Sequence, residues 1–201
     1  MITRRAALSG LVALPLLPSV TGERLVPWET RLILAARRQI GITVSYDPAY
    51  VSLDYPNGDV PRQRGVCTDV VIRAYRDAFD FDLQSAVHQD MKAAFGAYPK
   101  TWGLTRPDRN IDHRRVPNLE TYFRRHGEAL PTPTALTDWQ PGDLYTMRLN
   151  GSLPHIGIVS DRVTAMGHHY VLHNIGAGTA EDDILGLFDE EKRFRFEPPA
   201  V

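Results

Sequence analysis

The chain has 201 residues, of which 43% are hydrophobic and 23% are charged, values typical of a globular protein with one domain. Its 23 Lys and Arg residues against 24 Asp and Glu residues give a net charge of −1, which excludes an overall basic field that would draw the chain onto nucleic acid or anionic lipid. With a single cysteine, Cys67, the chain can form neither an intrachain disulfide nor a multi-thiolate metal site.

Residues 1–22 have the pattern of a signal peptide. A short basic stretch with Arg4 and Arg5 precedes an apolar run at 6–17, and small and polar residues follow. The run is shorter than the roughly 20 apolar residues of a membrane span and contains prolines, so cleavage would leave no stable membrane anchor; an uncleaved anchor is the alternative. We therefore expect residues 23–201 to form one exported, periplasmic domain, by either the general secretory or the twin-arginine route.

Amphipathic spacing dominates the first part of this domain. It predicts helices at residues 29–40, 67–79, 83–95 and 119–126. Asn118 is expected to cap the last of these helices. Residues 99–118 are rich in proline and charge, which predicts a long loop.

The pattern then changes to strands. Alternating residues predict strands at 143–149, 155–163 and 169–175, with turns at Asn150-Gly151 and Met166-Gly167. Helices followed by an antiparallel meander predict an α+β fold in which N-terminal helices pack on a central antiparallel β-sheet.

Three residues suggest nucleophilic chemistry. Cys67 lies at a predicted helix N-terminus, where the helix dipole favours a thiolate and backbone N–H groups can hold an oxyanion. A thiol hydrolase also needs a base and a group that orients the base, and His155 and His173 lie on neighbouring predicted strands. The alternatives are a buried cysteine that acts as a small hydrophobic residue and histidines with structural hydrogen bonds.

The order of these residues resembles NlpC-type papain-like cell-wall hydrolases. The segments that carry the resemblance are RGVCTDVVIRAY (64–75), WQPGDLYTM (139–147), PHIGIVSD (154–161) and VLHNIG (171–176). The resemblance implies a papain-like fold with Cys67 as nucleophile, His155 as base and His173 as orienting group, without metal or cofactor. It also matches Tyr55 to the tyrosine that borders the oxyanion site. The usual Cys-Ser-Gly reads Cys-Thr-Asp here, a departure that bears on the shape of the cleft.

The segment from about Tyr46 to Phe196 is also similar to an exported bacterial family, domain of unknown function 1287 (DUF1287). Within it, Asp112, His113 and Arg114 form a charged cluster. Because arginine pairs with carboxylates, this cluster is a candidate substrate clamp; solvated loop charges are the alternative.

The resemblance implies an exported cysteine amidase or peptidase that cleaves an amide bond in peptidoglycan stem peptides or cross-links. One alternative is an acyltransferase or esterase that acts on lipid through the same site. Others are a metal site made by Cys67, His155 and His173, and a wall-binding module without activity. The expected partner is a cell-envelope peptide and not nucleic acid, and the sequence identifies no regulatory or immunity protein.

Overall fold

The computed structural model describes residues 26–199, so the predicted signal peptide at 1–22 lies outside the described residues. In the part that is described, no helix is both long and apolar enough to cross a membrane.

Four α-helices are present among the described residues. They are α1 (Trp28–Arg37), α2 (Cys67–Phe79), α3 (Leu83–Ala94) and α4 (Val116–His126). The predicted bounds of α2 are confirmed at both ends. The predicted cap of α4 is wrong: α4 begins before Asn118, because Pro117 occupies its first turn, where a missing N–H costs nothing. The Asn118 side chain instead donates a hydrogen bond to the carbonyl of Asp112.

The start of α2 is fixed by its own third residue. The carboxylate of Asp69 accepts a hydrogen bond of 2.7 Å from the N–H of Val66, which satisfies a donor just before the first turn. The helix ends at Asp80, whose φ of 56° is left-handed and stops the helical ladder. The hydrogen bond at the start places Cys67 at the first position of the helix.

The strands form a two-stranded parallel pair and a six-stranded antiparallel sheet. The small pair joins β1 (Ser45–Tyr46) to β2 (Arg64–Gly65). The large sheet has the order β3-β8-β4-β5-β6-β7. Its strands are β3 (Glu128–Leu130), β4 (Leu144–Leu149), β5 (Leu153–Val163), β6 (His169–Asn174), β7 (Thr179–Asp182) and β8 (Asp189–Arg195).

The predicted α+β class, with helices packed on an antiparallel sheet, is confirmed. The three predicted strands are present within two residues of their predicted bounds, and both predicted turns have the left-handed glycine that such turns require. β3, β7 and β8 were not predicted.

Each face of the large sheet covers a separate apolar cluster. On the helix side, Ile156 and Ile158 of β5 pack with Val70 and Val71 of α2. On the other side, Trp139, Tyr145, Met147, Val159 and Val171 form a smaller cluster. α2 is thereby held against β5, and this contact brings Cys67 next to the start of β5.

Candidate functional site

The Cys67 thiol is buried against β5, with only 3% of the residue exposed. The backbone N–H groups of Ile156, of Thr68 and of Cys67 itself lie close enough to the sulfur to lower the pKa of the thiol. Ile156 directly follows His155 in β5, so the sulfur lies beside the backbone that carries this histidine.

Burial raises the pKa of the Cys67 thiol to about 12, and the negative charge of Asp69 acts in the same direction. The three backbone N–H groups lower the pKa but do not offset the burial. The expectation that the helix N-terminus favours a resting thiolate is therefore wrong for this cleft, since desolvation outweighs the dipole. The resting group is a neutral thiol.

The two candidate histidines contact each other across β5 and β6. The Nε2 atom of His155 lies 3.0 Å from the Nδ1 atom of His173. The register of Ile158 with Leu172 places Gly157 opposite His173, so His155 is its diagonal neighbour on the same face. The small residue between them matters, because a Cβ atom at Gly157 would lie 2.5 Å from Val171 Cγ1 and 3.2 Å from His173 Cβ.

A third strand extends this line. The Nε2 atom of His173 lies 3.2 Å from a carboxylate oxygen of Asp182, at the end of β7. Asp182 pairs with Val171, so it is again one diagonal step away on the same face. Its side chain is 50% exposed, whereas both imidazole rings are buried. The row therefore runs from the buried ring of His155 to solvent.

Burial keeps both rings neutral. It lowers the pKa of His155 to about 3, with a further contribution from His173. Burial also lowers the pKa of His173, which the charge and hydrogen bond of Asp182 partly offset. Because the carboxylate can only accept, the Nε2 atom of His173 carries its proton and its Nδ1 atom accepts one from His155. This arrangement leaves the Nδ1 atom of His155 unprotonated and able to accept a proton.

A cleft of about 330 Å³ opens at Cys67. Trp102 lines it with 38% of the residue exposed, and the guanidinium of Arg115 lies 4.1 Å from the ring centroid of this tryptophan. The other lining residues are Tyr46, Pro48, Val66, Ile111, Arg114, Val116, Pro117, Leu153 and Pro154. A mostly apolar cleft with a few polar groups is typical of a small-molecule or peptide site.

The tyrosine beside the thiol is Tyr46 and not Tyr55. Burial raises the pKa of the Tyr46 hydroxyl to about 12, and the next largest cause is the neighbouring Cys67. The structure places Tyr55 against α3, where its hydroxyl lies 3.3 Å from Ser85 Oγ and accepts a hydrogen bond of 2.9 Å from Gln89. Tyr55, the tyrosine that the resemblance indicates, therefore does not line the cleft at Cys67.

The predicted clamp residue Arg114 lines the cleft but is already paired. Its guanidinium donates two hydrogen bonds of 2.9 Å to the carboxylate of Asp69. It also donates to the backbone carbonyls of Ala49 and Asp47. Both side chains of the ion pair are nearly closed to solvent. Arg114 therefore fixes the wall of the cleft instead of offering a free charge.

Asp112 and His113 are buried as well, so the alternative of solvated loop charges is wrong. They belong to a short 3-10 helix, Asp112–Arg114. The Asp112 carboxylate accepts a hydrogen bond from the Asp108 N–H. Burial lowers the pKa of His113 to about 3, with Arg114 as the next cause, and its Nδ1 atom has no hydrogen-bond partner in the structure. Neither residue lines the cleft at Cys67.

Sequence reasoning missed Asp182 and Tyr46. Asp182 ends a four-residue strand, Thr-Ala-Glu-Asp, which has no apolar alternation to reveal it. Tyr46 lies in a two-residue strand 21 positions before the cysteine. The signal that was available for Tyr46 is its position among extended residues directly before Asp47-Pro48.

The structure offers no ready metal centre within residues 26–199, where no group of three or more His, Cys, Asp or Glu side chains is arranged to hold an ion. The Nε2 atom of His155 is directed at His173 instead. The residues present support acid–base chemistry at a thiol.

Comparison with known proteins gives a family but no activity. Residues 33–196 match the profile of a family described as "Domain of unknown function (DUF1287)". The "Uncharacterized protein YijF" of Escherichia coli (strain K12) is 56% identical over 158 residues, which cover 78% of this chain and 77% of that protein.

Proposed function

Because the chain belongs to the DUF1287 family, whose description states no activity, we propose its function from the site: it is an exported cysteine hydrolase that cleaves an amide bond. One observation carries this proposal. A buried thiol at a helix N-terminus lies beside the strand of His155, and His155 is hydrogen-bonded through His173 to the carboxylate of Asp182. Nucleophile, base and orienting groups in this order are the components of thiol hydrolysis.

The proposed fold family is the NlpC-type branch of the papain-like hydrolases. Support comes from α2, which begins at Cys67 and packs on an antiparallel sheet. His155 lies on β5, a central strand of this sheet. The residues of the cleft depart from the usual pattern at Asp69, which is tied to Arg114. Thr68 and Asp69 occupy the positions of the usual Ser-Gly pair. The ion pair of Asp69 with Arg114 holds the wall of the cleft in place.

The proposed mechanism starts from a neutral thiol and a neutral imidazole. The Nδ1 atom of His155 takes the proton of the Cys67 thiol as the sulfur attacks the amide carbonyl and a C–S bond forms. Backbone N–H groups at the start of α2 and the Tyr46 hydroxyl stabilise the negative oxygen. The imidazolium then protonates the leaving nitrogen, and the C–N bond breaks.

A thioester and a free amine result. Water loses its proton to His155 and attacks the thioester, the C–S bond breaks, and the proton returns to the sulfur. Throughout, His173 and Asp182 hold the ring of His155 in one tautomer, as described for the row of hydrogen bonds.

The substrate that we propose is a peptidoglycan stem peptide or cross-link in the periplasm. The expected signal peptide and the resemblance of Cys67, His155 and their neighbours to cell-wall hydrolases support this choice. An acyltransferase or lipid esterase would use the same thioester and would differ only in the acceptor and the acyl donor. Product masses separate these outcomes, because transfer adds the acceptor and hydrolysis adds water.

The decisive experiment incubates purified protein with peptidoglycan sacculi and identifies the soluble products by mass spectrometry. We expect wild type to release peptides with a new free carboxylate and the Cys67→Ser variant to release none. Ser85→Ala is a suitable control because Ser85 lies on α3, where it contacts Tyr55 away from the cleft. Equal digestion by wild type and Cys67→Ser would refute the proposal.

A further inference from the structure

A second cavity, of about 560 Å³, adjoins the cleft at Cys67. Its lining includes Tyr50, His88, Leu104, Arg106, Arg109 and Asn110. Two stretches of chain, 46–50 and 102–111, border both spaces: Pro48 lies in the cleft and Tyr50 in the cavity, and Trp102 and Leu104 divide in the same way. The cavity is thus a neighbouring compartment that a ligand longer than the cleft would reach.

The charge of this cavity is not balanced by the protein. Within residues 26–199, the guanidinium groups of Arg106 and Arg109 form no ion pair and donate no hydrogen bond, and that of Arg109 lies over the Tyr55 ring at 5.5 Å from its centroid. The one carboxylate in the lining, Asp108, already accepts hydrogen bonds from the Tyr50 hydroxyl and from the Asn110 N–H, both at 3.0 Å. Two cations therefore face the cavity with their donors available, which is unlike the paired Arg114 of the first cleft.

A histidine in the same lining is also unsatisfied. The Nδ1 atom of His88 is buried and has no hydrogen-bond partner in the structure. The ring packs edge-on against Tyr55 with 5.3 Å between centroids, so its orientation is fixed. Because that atom has almost no accessible surface, the His88 ring supplies part of the wall of the cavity and not a hydrogen bond to the ligand.

We propose that the cavity lined by Arg106, Arg109 and His88 binds an anionic group, a carboxylate or a phosphate, on the ligand whose reacting part lies at Cys67. The guanidinium groups match the oxygens of either anion. Anion binding stands on the cavity alone; its link to the reacting bond at Cys67 rests on the proposed function. The proposed anion site therefore lies in the partly exposed stretch 106–109. This stretch comes just before Asp112, His113 and Arg114, which the sequence suggested as a clamp.

The test measures binding and not turnover, so that it is independent of the proposed hydrolysis. Inorganic phosphate and succinate are titrated separately, at low ionic strength, into the full chain with Cys67→Ala. The readouts are calorimetry and the NMR signal of the His88 imidazole. We expect at least one probe to bind and to shift that signal. The probe that binds identifies the group, phosphate or carboxylate.

The variant pair Arg106→Gln and Arg109→Gln is compared with Arg38→Gln and Arg124→Gln, which removes the same charge from exposed positions outside this cavity. We expect binding to weaken by about tenfold or more in the first pair, since each lost charge-assisted hydrogen bond has an effect of this order, and to be unchanged in the second. Equal weakening in both pairs, or no binding of either probe, would overturn the anion site. Digestion of sacculi by wild type would be unaffected by that outcome, so the two proposals fail separately.

Discussion

Two rows of polar side chains lie on the elements that meet at Cys67, and they differ in how they are paired. On the helix side, Asp69 and Arg114 form a buried bidentate ion pair whose remaining donors reach backbone carbonyls. On the sheet side, His155 and His173 are neutral rings that lead to a half-exposed carboxylate. The ion pair has no free position for a proton, whereas the imidazole row has one.

The comparison distinguishes an ion pair that fixes the structure from an imidazole pair that can transfer a proton. A fully paired ion pair in a dry site fixes the position of the wall, because separating its members would leave a buried charge without a partner. A hydrogen-bonded pair of neutral imidazoles that ends at solvent can gain and pass on a proton. The two rows therefore predict opposite responses to mutation, in activity on one side and in stability on the other.

The largest effect is expected for His155→Ala. If this ring is the base, the rate of sacculus digestion falls by about 10²–10⁴-fold, the usual contribution of a positioned acid–base group. The free energy of unfolding falls much less than in an Arg114 variant, because no charge is left buried. Digestion rates together with urea unfolding test both statements, and a variant that keeps wild-type rates would remove His155 from the mechanism.

Arg114→Leu breaks the other row. It leaves the Asp69 carboxylate buried without its cation, and we expect the free energy of unfolding to fall by about 3–5 kcal/mol. Arg124→Gln serves as the control, since exposed surface substitutions usually change stability by less than ~0.5 kcal/mol. Urea denaturation gives the comparison. A loss below ~1 kcal/mol would mean that the ion pair does not fix the wall of the cleft.

The pH dependence of thiol alkylation sharpens the contrast. Only thiolate reacts, and the chain has one cysteine, so iodoacetamide reports on Cys67 alone. With a pKa raised to about 12, the thiolate fraction and the rate should rise about tenfold per pH unit between roughly pH 7 and 9, without a plateau. A plateau that begins below pH ~8.5 and is lost in His155→Ala would instead show a resting thiolate–imidazolium pair.

The smallest effect is expected at the solvent end of the row. Asp182→Asn removes the charge that fixes the tautomer of His173, but the carboxylate is half exposed and acts through two rings. An interaction of up to ~1 kcal/mol corresponds to a loss of activity of up to about fivefold. A positioning role also predicts an altered pH profile of activity, which a merely structural role would leave unchanged. Asp183→Asn, whose carboxylate lies 2.7 Å from the Nε2 atom of His168, is the matched control.

Local patterns were sufficient to predict the elements that carry their own signal. The apolar residues among the 13 of α2 recur at helical spacing, and the start and end of this helix match the prediction. Cys67, His155 and His173 could be chosen because the single cysteine lies at a predicted helix start, the histidines lie on neighbouring predicted strands, and their order fits the resemblance. The contact between His155 and His173 depends on a register shift in β5 between Val159 and Val163, which the turn at Gly167 does not reveal.

What escaped prediction depends on contacts between distant residues. Arg114 lies 45 positions from Asp69, and no local sequence pattern shows that its guanidinium is already paired with that carboxylate. β8 reads as a charged segment, Asp-Glu-Glu-Lys-Arg-Phe-Arg, because its basic side chains pair with the carboxylates of Glu120 on α4 and of Asp143 just before β4. Tyr46 and Asp182 lie on short strands that acquire a partner only in the folded sheet.

The position of β8 also has a consequence for how the chain folds. β8, near the C-terminal end of the described chain, inserts between β3 and β4, with Arg195 opposite Glu128 and Phe194 opposite Leu144. Before this strand arrives, β3 has no partner and one edge of β4 stays open. Such long-range pairing slows folding, and an open edge is a template for pairing with a second copy. A chain shortened before Asp189 would therefore be expected to aggregate instead of forming a smaller version of the same sheet.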